Sequence, residues 1–192
     1  MESTDPLHTT ARELDAYADT LDPESREYWF YHRKRFMGTL RKIEALKAEC
    51  AYHQRPFQRL LDIGNSYQTL MVDKHYPEIR IDTLGFLAER YAPSGPFRHI
   101  EFDLNDSYFP DRWPVFKEAE RYDLILFLEV IEHLYTSPRQ VLRFLKTALN
   151  PGGFILIGTP NAAALYKRFS LLTGRNPYEP IREERRNPGH FR

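Results

Sequence analysis

With 192 residues the chain has room for one domain and an appendage. Its 27 Lys and Arg against 27 Asp and Glu leave no net charge, so the overall basic excess of a nucleic-acid-binding protein is missing. The single cysteine, Cys50, excludes an internal disulfide and points to a reducing compartment, and no apolar run approaches the ~20 residues that span a bilayer.

The first residues are polar and acidic, without a signal-peptide pattern, so the expectation is a cytoplasmic protein. Leu14, Tyr17 and Leu21 lie at helical spacing. Asp22-Pro23-Glu24 then reads as a helix start: an N-cap acid, a proline at the first helical position and an acid in the first turn. The helix it opens runs to about Ala51, with Trp29, Phe36, Leu40, Ile43, Leu46 and Cys50 as its apolar stripe. Arg33, Lys34, Arg35, Arg41 and Lys42 fall mostly off that stripe, either as a solvated face or as a patch for an anionic substrate or RNA. Tyr28, Trp29, Tyr31 and His32 fit a pocket wall and core packing equally well. Arg55-Pro56 breaks the helix, so residues 1–55 are expected to form a helical extension and residues 56–192 the main domain.

From there apolar runs and helical patterns alternate. Leu60 to Gly64 reads as a short buried strand, and Asn65-Ser66 opens a helix. Ile79 to Leu84 is a second strand, Phe86 to Tyr91 a short helix, and Arg98 to Phe102 a third strand ending at Asp103. A long connection over 105–121 leads to the central run Leu124-Ile125-Leu126-Phe127-Leu128, which suits a strand buried on both faces. Ser137-Pro138 starts another helix, Asn150-Pro151-Gly152-Gly153 turns the chain, and Phe154 to Ile157 is a fifth strand, followed by a helix over 162–172. Such alternation predicts an α/β fold with a parallel sheet. The central strand stops at Glu129-Val130-Ile131-Glu132-His133, which sets two carboxylates and an imidazole where open α/β sheets bind ligands. If the chain turns as a helix there, Glu129, Glu132 and His133 share one face. The alternative is that Glu132 and His133 only cap a short helix.

In order and spacing, LLDIG at 60–64, FDLND at 102–106, YDLILFLEVIEHL at 122–134 and LNPGGFILIGTPN at 149–161 resemble the motifs of class I S-adenosylmethionine-dependent methyltransferases, in particular the EVIEHL-containing group. The resemblance implies a Rossmann-like doubly wound sheet of order 3-2-1-4-5. It also implies S-adenosylmethionine as cofactor, with Asp62, Gly64 and Asn65 at its methionine end, Asp82 on the ribose, Asp103 and Leu104 at the adenine, and Glu129 closing the site. It further implies a methyltransferase acting on an oxygen of a small molecule, with Glu132 and His133 at the reacting side and His133 as base. Some relatives hold a divalent metal through both acids and the histidine, and His190 is the fourth ligand that reading would use. His8, His32, His53, His75 and His99 have no motif context and read as surface residues.

The glycine-rich loop of the family stands here as Gly64-Asn65-Ser66-Tyr67-Gln68, which argues against a dinucleotide, whose pyrophosphate needs bare backbone. It also motivates a rival reading, a non-catalytic binding or scaffold module of the same fold. A third reading is a metal-dependent RNA 2′-O-methyltransferase, for which the basic helix is the sole support. The family's last two strands have no counterpart in the sequence, so the fifth strand is expected to be an open edge unless a tail or partner covers it.

Overall fold

A computed structural model describes residues 6–64, 66–86, 97–161 and 163–176, with the backbone alone for 6–10. Five parallel strands form one sheet in the order β3-β2-β1-β4-β5. They are β1 (Arg59–Ile63), β2 (Arg80–Gly85), β3 (Arg98–Glu101), β4 (Tyr122–Leu128) and β5 (Leu149–Gly158). The helices are α1 (Pro6–Ala18), α2 (Pro23–Tyr52), α3 (Tyr67–His75), α4 (Pro138–Thr147) and α5 (Leu165–Leu172). Of the expected short helix over 86–91 only Phe86 is among the described residues, and the tail with His190 lies outside them.

Both faces of the sheet are covered, which is why β4 carries no polar alternation. Leu60, Leu124 and Leu126 point to a core shared with Trp29, Phe36, Leu40 and Ile43 of α2 and Met71 and Val72 of α3. Leu61, Ile63, Ile125 and Phe127 point to the opposite core, filled by Val141, Phe144 and Leu145 of α4. The two sets alternate along each strand, as a period of two requires.

Helix α2 starts as the sequence implies: the Asp22 side chain accepts from the Ser25 N–H at 3.0 Å, with Pro23 in the first turn. The Asp15 carboxylate of α1 accepts from the indole N–H of Trp29 at 2.9 Å and from Arg33 Nε and Nη2, both at 2.7 Å. That fork ties α1 to α2, and Arg33 holds the Asp15 carboxyl below its usual range. The two helices thus pack on the sheet, α2 giving Trp29, Phe36, Met37, Leu40 and Ile43 to one of its cores and α1 giving Ala11, Leu14 and Ala18. At the far end of α2, Cys50 is buried.

Strand β5 starts earlier than the apolar run alone implies. Tyr122 pairs with Leu149 and Leu124 with Phe154, so residues 150–153 loop out as an irregularity within the ladder. Gly152 in that loop has a φ of +77°, and its carbonyl accepts from Arg55. Among the described residues no strand pairs with the outer edge of β5. Helix α5 buries none of its residues, and Leu165, Phe169 and Leu172 are exposed.

Candidate active site

The carboxyl ends of all five strands meet in one chain of contacts. The Gly64 N–H donates to the Leu84 carbonyl at 2.8 Å, the Phe102 N–H to Gly85 at 3.2 Å, and the Glu129 N–H to Gly158 at 2.8 Å. Gly64 (φ +78°) also stands against Val130, where a Cβ would lie 3.6 Å from the valine methyl, and Gly85 passes equally close to Gly64. A left-handed turn squeezed between two strand ends explains why this glycine survives when the rest of the family loop does not.

Ser66 caps α3: its hydroxyl accepts from the Gln68 N–H at 3.2 Å, and its own N–H donates to the Thr69 hydroxyl at 3.1 Å. Thr69 in turn donates to the Asp62 carboxylate at 2.6 Å. Asp62 is buried, and desolvation raises its pKa to about 7 despite that bond. A relay from the Ser66 amide through Thr69 to Asp62 therefore ties the start of α3 to β1. Asn65 lies outside the described residues. Thr69 escapes sequence reasoning because the recognisable capping box has Glu or Gln at its position.

Asp103, two residues past β3, caps a short 3-10 turn, Leu104–Tyr108, accepting from the Asn105 N–H at 2.8 Å. Leu104 is buried beneath it. Asn105 also accepts from the N–H groups of Tyr135 at 2.7 Å and Thr136 at 3.2 Å. Through this one side chain the β3 loop is fastened to the segment that follows His133.

Asp82 is differently placed. It sits three residues before the end of β2, and its carboxylate accepts from Arg59 Nη2 and the Tyr122 hydroxyl, each at 2.9 Å. Arg59 and Tyr122 open β1 and β4, so Asp82 serves the amino-terminal side of the sheet, away from the position a ribose contact requires. The β2 tip is Gly85, which bears no acid.

The segment after β4 is not the helix that would align Glu129, Glu132 and His133. Glu129 adopts a φ of +56°, and only Ile131–His133 form a single 3-10 turn. The left-handed residue swings Glu129 toward α2, where Arg35 Nη1 lies 2.8 Å from its carboxylate. Glu132 is 8% exposed, and neither of its carboxylate oxygens has a hydrogen-bond partner among the described residues. His133 is half-buried and donates its N–H to the Val130 carbonyl at 2.9 Å. Among the described residues no three His, Cys, Asp or Glu side chains are grouped to hold a metal ion.

A cavity of about 370 Å³ opens beside these tips, between α2 and the ends of β4 and β5. Arg35, Gly38, Thr39 and Lys42 form its helical wall, and Leu128, Leu156 and Ile157 its floor. His32, on the same helix, is kept neutral down to about pH 4 by burial and by the Arg35 charge.

A family model described as a methyltransferase domain matches residues 31–188. Among solved structures, the plantazolicin methyltransferase BpumL in complex with a pentazolic desmethylPZN analog and SAH is similar at a TM-score of 0.50 and 18% identity, covering 88% of this chain and 62% of that one. A SAM-dependent methyltransferase from Archaeoglobus fulgidus gives 0.44 at 20% identity, covering 82% of this chain and 69% of that one. The N-methyltransferase NodS from Bradyrhizobium japonicum WM9 gives 0.44 at 18%, with 71% and 72% covered. No curated protein matches the chain. The chain spans 62% of the length of the plantazolicin enzyme.

Proposed function

The chain belongs to the methyltransferase-domain family, and on that premise we propose that it binds S-adenosylmethionine across the carboxyl ends of β1 to β4 and methylates an oxygen of a small molecule. The observation that carries this reading is the contiguity of the tips: Phe102, Gly85, Gly64, Val130 and Gly158 succeed one another across the sheet.

The residues present suit that cofactor. Its sulfonium and ammonium are cations, and the tips offer Asp62, Asp103, Glu129 and Glu132, one of them with an orphaned buried carboxylate. Asp62 and Gly64 with the neighbouring Asn65 are the methionine end, and Asp103 with Leu104 is the adenine end. Asp82 is left out of the set, since Arg59 and Tyr122 occupy its carboxylate. The cofactor, when bound, supplies an already activated methyl group, so the protein's task is alignment and exclusion of water. His133, at the rim of the same tips, takes the proton that a hydroxyl acceptor must lose.

Saturating S-adenosylhomocysteine, at a hundredfold over its dissociation constant, is expected to stabilise the fold by ~2.7 kcal/mol, and Asp103→Ala to diminish that shift. His133→Ala is expected to slow turnover by ~10²- to 10⁴-fold with product affinity unchanged. No melting shift with either cofactor form overturns the binding reading. A shift without transfer to any hydroxyl acceptor favours the scaffold reading.

A further inference from the structure

The cavity beside β4 and β5 has a composition that the methyl donor does not use. Its helical wall, Arg35, Gly38, Thr39 and Lys42, follows the i, i+3, i+4, i+7 spacing of one helix face. Two of the four are cations, while the floor of Leu128, Leu156 and Ile157 is apolar, and Ile157 keeps 44% of its surface exposed. A small cavity with an apolar body and a few convergent polar groups is the usual form of a small-molecule site.

Arg35 has donors in reserve. Nη1 pairs with Glu129 at 2.8 Å, Nη2 makes only a long contact of 3.3 Å to the Tyr28 hydroxyl, and the buried Nε has no partner among the described residues. A buried donor without an acceptor is costly, and a guanidinium fork is shaped for planar or tetrahedral anions. Lys42 stands at the mouth, exposed. With Glu129 as the acid facing them, the pair leaves one positive charge uncompensated.

Gly38 supplies an independent sign. A glycine inside a helix costs about 0.5–1 kcal/mol relative to alanine. Nothing lies within 4 Å of where its Cβ would be, so packing does not require it. What the missing side chain does provide is depth to the cavity wall.

We propose that this cavity receives the methyl acceptor, and that the acceptor joins an apolar body to an anionic group, carboxylate or phosphate, held by Arg35 and Lys42. The proposal rests on the methyl-transfer reading for the identity of the occupant as acceptor, and on the cavity alone for its anionic selectivity.

The test titrates benzoate, phenyl phosphate and neutral benzyl alcohol into the protein by nuclear magnetic resonance, with and without S-adenosylhomocysteine. Either anion is expected to bind ~10-fold or more tighter than the alcohol, and the stronger of the two identifies carboxylate or phosphate. Arg35→Gln and Lys42→Gln are each expected to remove ~10-fold or more of that preference, and for Lys42→Gln S-adenosylhomocysteine affinity holds. Gly38→Leu is expected to abolish binding of all three aromatics with an unchanged or raised melting temperature. The proposal is overturned if the alcohol binds as well as the anions, if the preference survives both charge removals, or if Gly38→Leu still binds. Failure of S-adenosylhomocysteine to bind, with anion preference intact, instead sinks the methyl-transfer reading and leaves an anion site standing.

Discussion

The two ends of one sheet treat their acids in opposite ways. At the amino-terminal end, Asp123 accepts from the N–H groups of Gln58 at 2.7 Å and Arg59 at 3.0 Å and from Asn150 at 2.8 Å. Asp82 there meets Arg59 and Tyr122. At the carboxyl-terminal end, Asp62 is held by a threonine hydroxyl and has its pKa raised to about 7, and Glu132 is buried with no partner among the described residues. All four side chains are buried, so burial does not distinguish them. Partnership does. The buried acids Asp82 and Asp123 are saturated with donors, whereas Asp62 and Glu132 at the carboxyl-terminal end keep lone pairs open, a cost that folding alone gives no reason to retain.

This contrast can be broken at either end. The largest expected effect is at the saturated end. Asp82→Ala should destabilise the protein by ~3–5 kcal/mol, because it leaves the Arg59 guanidinium without its acid partner. Chemical denaturation measures it, and a loss below about 1 kcal/mol would mean that the pair is not structural.

Asp62 comes next. Burial raises its folded pKa to about 7 from the ordinary 3.8, so between about pH 4 and 7 the folded state holds more protons than the unfolded one. Stability should therefore fall as pH rises through that window and level off above it. Asp62→Asn should flatten the slope. Binding of S-adenosylhomocysteine, whose ammonium favours the carboxylate, should release protons near pH 6. Calorimetry in buffers of different ionisation enthalpy reads that release, and its absence would detach Asp62 from the methionine end.

The smallest effect concerns Glu132. Glu132→Met should raise stability by about 1 kcal/mol, since it removes an unpartnered buried carboxylate, while lowering methyl transfer. A destabilised Glu132→Met protein would place this acid with Asp82 and erase the contrast.

The fold was legible because its signals are redundant. Strands β1, β4 and most of β5 are apolar runs bounded by turn residues, and Asp22-Pro23 marks α2 without help from the rest of the chain. The site was less legible, for physical reasons that differ by residue. Strand periodicity tells which face a side chain takes but not which strand end its polar atoms reach, so only the family resemblance sets Asp82 on the ribose. Spacing of three and four implies a shared face only inside a helix, and the left-handed Glu129 ends that assumption one residue after β4. Arg35 lies off the apolar stripe of α2, as solvated residues do, and nothing local marks its reach across to Glu129. The relay from Asp62 to Ser66 depends on Thr69, whose hydroxyl is an ordinary helix residue until the fold brings an acid beneath it.

Cys50 gives the long helix a clock. Its thiol is buried at the end of α2 where that helix lies over the sheet, and burial raises its pKa, so the reactive thiolate is scarce twice over. An alkylating reagent can reach it only when the end of α2 lifts. Labelling of this one sulfur therefore counts openings of the helix in time, without any introduced probe. Since the same helix carries Arg35 and Gly38, an occupant gripping that wall should slow the count.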